Sequence, residues 1–211
     1  IGTVEKVYDA TKAADNIQPA NYDSTTGVID GDTVDLNDPA SGTYDDKNVD
    51  TGKTVTVSGV DITQATANGG STTVFGYTLA TDQAEGEVGV ITTRPLTVTA
   101  DDQEKVYGES VSLDDTAFAV APPTADTGLV GSEGVSSVNL ASAATGATAD
   151  AGDYPIKADA VTDGSGGFAA SNYAITFNDG TFTVNPRPVT VAIVGTPTKT
   201  YDGTDAATLA D

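Results

Sequence analysis

Val90-Ile91-Thr92-Thr93-Arg94-Pro95-Leu96-Thr97-Val98-Thr99 decides the fold. Apolar residues alternate with threonine through it, which is the period of a strand that buries one face, and valine and threonine both fit a pleated backbone. The stretch also runs from the end of one such pattern into the start of the next without a Gly/Ser linker. Proline fixes φ and biases the residue before it toward extended geometry. Two strands in series across a short, stiff connector are therefore expected.

The same alternation appears on both sides of this stretch, at Thr54-Val55-Thr56-Val57, Thr181-Phe182-Thr183-Val184 and Val189-Thr190-Val191, with Gly, Asn and Asp between the runs. No window of helical length carries apolar residues at three and four spacing, and residues 11–20 have room for one short turn at most. The pattern predicts an all-β chain.

The junction itself recurs as Val184-Asn185-Pro186-Arg187-Pro188-Val189. Other landmarks keep the same order. Lys6-Val7-Tyr8-Asp9, Lys105-Val106-Tyr107-Gly108 and Lys199-Thr200-Tyr201-Asp202 place one Lys-x-Tyr corner three times, about 95 residues apart. Asp50-Thr51-Gly52 answers Asp150-Ala151-Gly152, and Gly76-Tyr77-Thr78-Leu79 answers Asn172-Tyr173-Ala174-Ile175. A period of this length is a whole domain. The repeat divides the chain into a bead over residues 1–93, a second over 94–186, and the start of a third over 187–211. In this register the opening strand of the first bead falls ahead of residue 1, so one sheet is expected to have an empty edge, with the tail as an unpaired strand donor that a neighbouring copy exchanges into it.

Nine basic residues stand against 31 acidic ones in 211, a net charge of −22. Such a surface repels phosphate backbones and anionic lipid, which argues against nucleic acid and membrane insertion, and it favours beads that stay apart in an extended array. The chain has no Cys, so disulfides, thiolate metal sites and thiol nucleophiles are excluded. No stretch approaches the roughly 20 apolar residues that span a bilayer. The cores must be thin, since Trp and Met are absent as well.

On these motifs the chain resembles a known pair of families. Lys6-Val7-Tyr8-Asp9, Gly31-Asp32, Gly42-Thr43-Tyr44, Gly52-Lys53-Thr54-Val55 and Gly76-Tyr77-Thr78-Leu79 are similar to the YDG domain of large bacterial surface adhesins, with Ala10 where the name-giving Gly would fall. Leu96-Thr97-Val98-Thr99-Ala100-Asp101-Asp102, Lys105-Val106-Tyr107-Gly108, Asn172-Tyr173 and Gly180-Thr181-Phe182-Thr183-Val184 resemble its companion, the mostly-β, glycine-rich MBG domain of the YG type. Tyr201-Asp202-Gly203-Thr204 reopens a YDG pattern. The resemblance implies a stalk in an extracellular or cell-surface protein of biofilm-forming bacteria, and it carries no catalytic residues.

The residues offer four kinds of chemistry. Each corner tyrosine shares a strand face with the lysine two positions before it; the pair reads as a buried ring with a bonded hydroxyl and a lysine over the sheet edge, against a ligand contact or a Lys isopeptide. Asp30, Asp32, Asp35 and Asp38 crowd one loop and are the metal candidates, with calcium the cofactor they suit, although Val34 breaks an EF-hand count and solvated turn acids explain them as well. Asp163-Gly164-Ser165-Gly166-Gly167 lacks the nonapeptide of calcium β-rolls. Catalysis is left without His or Cys, so no enzyme is expected. Glycan binding has only Tyr22, Phe75, Tyr77, Phe168 and Tyr173 to draw on.

The expectation is thus tandem, elongated β-sandwich domains of immunoglobulin-like type joined end to end, with a β-grasp variant as the alternative. First and last strands of each bead should run the same way. The expected function is a structural spacer that supports adhesion, aggregation or biofilm formation; the alternatives are a fibre subunit assembled by strand exchange or a polysaccharide-binding module. Expected partners are neighbouring repeats, other copies or exopolysaccharide.

Overall fold

The computed structural model describes residues 2–23, 26–67, 69–195 and 198–206. Every threonine-rich alternation up to Asn185 becomes a strand. The first bead holds β1 (Val4–Val7), β2 (Ala13–Ala14), β3 (Thr33–Leu36), β4 (Gly42–Tyr44), β5 (Asp50–Ser58), β6 (Ile62–Ala67), β7 (Thr72–Thr73) and β8 (Gln83–Thr92). The second holds β9 (Arg94–Ala100), β10 (Gln103–Val106), β11 (Phe118–Val120), β12 (Val135–Ala141), β13 (Gly152–Asp163), β14 (Tyr173–Asn178) and β15 (Gly180–Asn185). Among the described residues the helical elements are two three-residue 3-10 turns, Pro19–Asn21 and Ala170–Asn172. The chain is all-β, and a β-grasp sheet, which closes over a helix, has no helix here to close over.

The second bead is a sandwich of a four-stranded sheet, β10-β15-β13-β12, and a three-stranded sheet, β11-β9-β14. Alternate residues of β9 point inward, so Leu96, Val98 and Ala100 are buried, and so are Val138, Ile156, Phe182 and Val184 of the four-stranded sheet. Each of these side chains larger than alanine contributes about 1.5–3 kcal/mol relative to exposure. Phase along the strand, more than length, makes β9 the centre of this core.

The first bead repeats only part of this plan. Its five-stranded sheet β1-β8-β5-β4-β2 carries β1 beside β8 in parallel, as β10 lies beside β15 in parallel. Where β13 runs unbroken for 12 residues, the corresponding path breaks at Gly59 (φ +77°) into β5 and β6, and β6 pairs with β3 and β7 in a separate sheet. The counterpart of β14, which begins at Tyr77 as β14 begins at Tyr173, forms no strand over residues 74–82. Among the described residues no strand of the first bead occupies the place that β9 holds in the second.

Candidate functional site at the joint between the beads

One residue, Thr93, separates β8 from β9. The strand that ends one bead therefore continues as the central strand of the next bead's second sheet. Arg94 opens that strand and is buried at 6 % exposure. Its Nε donates to the Gly128 carbonyl at 2.9 Å, its Nη2 to those of Thr124 and Thr127 at 2.7 and 3.0 Å, and its Nη1 reaches the Tyr8 carbonyl at 3.5 Å. A planar fork of donors suits several carbonyls at once, which an ammonium on a flexible stem does less well. Arg94 thus braces a loop of its own bead and reaches across the joint to the backbone just after β1.

Tyr8 extends the parallel ladder, since its backbone N–H donates to the Thr92 carbonyl at 2.9 Å. Its ring is wholly buried. The hydroxyl donates to Glu133 Oε1 at 2.7 Å, and the Tyr173 hydroxyl donates to Glu133 Oε2 at 2.6 Å. The Lys47 ammonium, from the first bead, lies 3.4 Å from Glu133 Oε1 and 5.9 Å from the centre of the Tyr8 ring. Tyr8 meets Tyr173 edge to face at 5.6 Å, and Phe168 stacks on Tyr173 at 5.1 Å. Val4, Tyr8 and Val55 belong to the same apolar cluster as Leu96, Val98 and Phe168, so the hydrophobic core crosses the joint without a break.

Both tyrosines are held protonated. Burial raises the pKa of each, and the hydrogen bond to Glu133 adds to that, because a phenolate there would face an acid side chain. Such hydroxyls keep their protons and donate hydrogen bonds to the carboxylate between them. Asn172, almost fully buried, completes the seam: its Oδ1 accepts from Val49 N–H at 3.0 Å and its Nδ2 donates to Asn48 Oδ1 at 3.2 Å. Among the described residues no buried side-chain polar atom lacks a partner.

The loop that carries Glu133 is shaped from behind by glycine. The Gly134 N–H donates to the Ser165 carbonyl at 3.1 Å, and Glu133 N–H closes a turn on the Val130 carbonyl at 3.0 Å. Gly166 has φ +71°, and a Cβ there would lie 2.2 Å from the Ser132 carbonyl oxygen. The segment Asp163-Gly164-Ser165-Gly166-Gly167 is thus the seat of the Glu133 loop.

The sequence does not announce Glu133 as functional, yet it leaves a mark. It is the only charged residue between Asp126 and Asp150 in a chain otherwise rich in acids. The corner tyrosines, legible as a repeat, have three different fates. Tyr8 is buried, Tyr107 is 42 % exposed and Tyr201 is 92 % exposed, because among the described residues only Tyr8 has a following bead packed on it. Lys6 Nζ binds Asp9 Oδ1 at 2.7 Å and the Thr11 carbonyl at 2.9 Å, and Lys199 repeats this with Asp202 and Thr204 at 2.9 and 2.7 Å. Lys105 is buried on the carbonyls of Glu109 and Gly146. The corner lysines thus close the loop that follows each tyrosine.

Asp30, Asp32, Asp35 and Asp38 are not gathered. Asp32 accepts from the Tyr77 hydroxyl at 2.6 Å, Asp35 sits on β3 opposite Gln64, and Asp38 adopts φ +45°. Among the described residues no group of three or more His, Cys, Asp or Glu is placed to hold a metal ion. The aromatic residues form no shared platform either: Phe168 and Tyr173 are in the joint, Tyr22 and Tyr77 are bonded to Pro39 and Asp32, and Phe75 is 95 % exposed.

Residues 1–84 match the family model of the YDG domain, and residues 96–183 match that of the MBG domain of the YGX type. No curated protein and no solved structure matches the chain. The joint, at residues 85–95, lies between the two matches, and the chain carries a YDG domain and an MBG domain in tandem.

Proposed function

We propose that this β-rich repeat module is a stiff, acidic spacer in an extracellular bacterial adhesin or matrix fibre, where it holds a binding region away from the cell. The observation that carries this reading is the joint. A linker of one residue, a shared core and a bonded carboxyl group between two buried tyrosines fix one domain against the other. Relative motion of domains is the default where an interface is small and polar. Here the interface is continuous with both cores, and the net charge of −22 opposes collapse of successive domains onto each other.

Small-angle scattering of the chain beside its Tyr8→Ala variant tests the reading. A fixed maximum dimension for the chain, and a broader distribution of distances for the variant, is the expected result. Identical, flexible profiles for both would remove the basis for a spacer. Surface labelling of intact source cells checks the location independently, and a chain found only inside the cell would sink the extracellular assignment.

A further inference from the structure

Asn37-Asp38-Pro39-Ala40 lies between β3 and β4 of the first domain and holds the chain's one Asp–Pro bond. Asp38 has φ +45°, and among the described residues Ala10 is the only other non-glycine residue with a positive φ. Proline pushes the residue before it toward extended backbone, so a left-handed aspartate here works against both its own Cβ and the ring that follows. Strain of this kind persists only where the surroundings impose it, and its usual place is a functional site.

The surroundings do impose it. On one side Asn37 is fixed three times to the turn ahead of β6: its N–H donates to the Asp61 carbonyl at 3.0 Å, its Nδ2 donates to the Gly59 carbonyl at 2.8 Å, and its Oδ1 accepts from Asp61 N–H at 2.9 Å. On the other side the Tyr22 hydroxyl donates to the Pro39 carbonyl, and Ile17 N–H donates to the Ala40 carbonyl at 3.2 Å. Asp38 is thus held between anchors on two different parts of the domain. Among the described residues its carboxyl makes no hydrogen bond or ion pair, which leaves it free to turn on its own main chain. Tyr22 is the ionisable group that faces it, since burial and then the Asp38 charge raise the Tyr22 pKa. The acids on the flanking backbone are Asp35 of β3 and Asp61.

We propose that Asp38–Pro39 is a self-cleavage site, at which the Asp38 carboxyl cuts its own main chain and divides the YDG domain after residue 38. The protonated carboxyl closes on the Asp38 carbonyl carbon to form a cyclic anhydride. The C–N bond to Pro39 breaks, and the carboxyl proton passes to the prolyl nitrogen, which leaves as a secondary amine. One water then opens the anhydride, so Asp38 gains a main-chain carboxyl beside its side-chain one and Pro39 becomes an N-terminus, with no oxidation or reduction. The nucleophile is intramolecular, and backbone strain present before the step is released by it. The cut pieces stay together, because β1, β2 and β3 on the first pair with β8, β4 and β6 on the second. In a spacer such a domain is the place where a tether parts under load; that consequence rests on the spacer reading, and the cleavage itself does not.

Incubating the purified chain at about pH 4, where aspartyl carboxyls gain protons, beside the same chain unfolded in urea tests the proposal. Denaturing electrophoresis and intact mass should show fragments 1–38 and 39–211 whose masses sum to that of the chain plus one water, while size exclusion still shows one particle. The folded chain should cleave at least about tenfold faster than the unfolded one. Asp38→Asn should abolish both fragments. Asn37→Ala and Tyr22→Phe leave the Asp–Pro bond intact and each release one anchor, so both should slow cleavage toward the rate of the unfolded chain. Fragments that survive Asp38→Asn, a folded chain that cleaves no faster than the unfolded one, or unchanged rates in both anchor variants would overturn the proposal. None of these outcomes touches the joint at Glu133, so the spacer reading stands or falls separately.

Discussion

Tyr8 and Glu133 lie 125 residues apart in sequence and 2.7 Å apart in space, in different domains. The bond is buried on both sides, so its loss leaves an acid side chain with one donor fewer in a site that water cannot easily enter.

Tyr8→Phe keeps the ring and removes that donor. The expected cost is about 1–3 kcal/mol of stability. Urea unfolding with probes in each domain checks it. The two domains share a core and should unfold together in the chain, and in the variant they should begin to separate into two transitions. An unchanged midpoint would mean that Lys47 and Tyr173 satisfy Glu133 without Tyr8.

Gly166→Ala should displace Glu133 without altering any residue that touches it. The new Cβ meets the Ser132 carbonyl, and the backbone stays in the left-handed region that a side chain disfavours. Gly131 has φ +57° with open space around it. Gly131→Ala should therefore cost only the conformational part, about 1 kcal/mol, and Gly166→Ala clearly more. Comparing the two melting temperatures separates strain from collision.

Arg94→Lys removes a fork that serves three carbonyls of one loop. Lysine has a single nitrogen for carbonyls that Nε and Nη2 now meet separately. A loss of about 2–3 kcal/mol is expected, with increased hydrogen exchange at Gly128, whose N–H binds the Pro95 carbonyl. Pro95→Ala should loosen the connector less than Arg94→Lys does, because the guanidinium braces the loop behind the joint and also reaches the Tyr8 carbonyl across it.

Stability should fall at both ends of the pH scale, for different reasons. Burial and Glu133 raise Tyr8 and Tyr173 above the unfolded value of roughly 10. Their contribution is complete below that pH and is lost as pH rises through the folded values. In the chain the alkaline decline should be steeper than in Tyr8→Phe, and phenolate absorbance should show these two rings titrating only as the joint opens.

On the acid side, Asp46 is held down by the bond from Lys53 Nζ at 2.9 Å, and Asp45 by the Asp46 N–H and then by Lys53 at 3.1 Å. Their folded values lie below the unfolded one of about 3.9. This contribution is present above that pH and is lost as pH falls through the folded values. Lys53→Met should flatten the decline of the urea midpoint below about pH 4. An equally steep decline in the variant would assign the acid sensitivity elsewhere.

The strands were legible because alternation acts locally: Leu96, Val98, Phe182 and Val184 could each be assigned a face from neighbours two positions away. The order of domains was legible from the Lys-x-Tyr and Arg-Pro repeats. Glu133 was not, because its role depends on Tyr8 arriving from another domain, and a single acid between glycines looks like any turn. The unequal burial of Tyr8, Tyr107 and Tyr201 was hidden for the same reason: identical motifs differ only in what packs on them. The aspartates of residues 30–38 carried a local signal for cations, but among the described residues the fold gathers no three of them into one site.

Parallel pairing of β1 with β8 has a mechanical meaning. A pull applied ahead of β1 and beyond β8 drags the two strands in opposite directions along their length, so Val4–Val7 and Gly89–Thr92 resist in shear. The ladder bonds, with the Tyr8 N–H to Thr92 at their end, are strained together instead of being peeled one at a time. The rate at which such a domain gives way under tension is an unfolding rate and not an equilibrium stability. In a domain with so thin a core, strand direction rather than core size would set the force at which the tether yields.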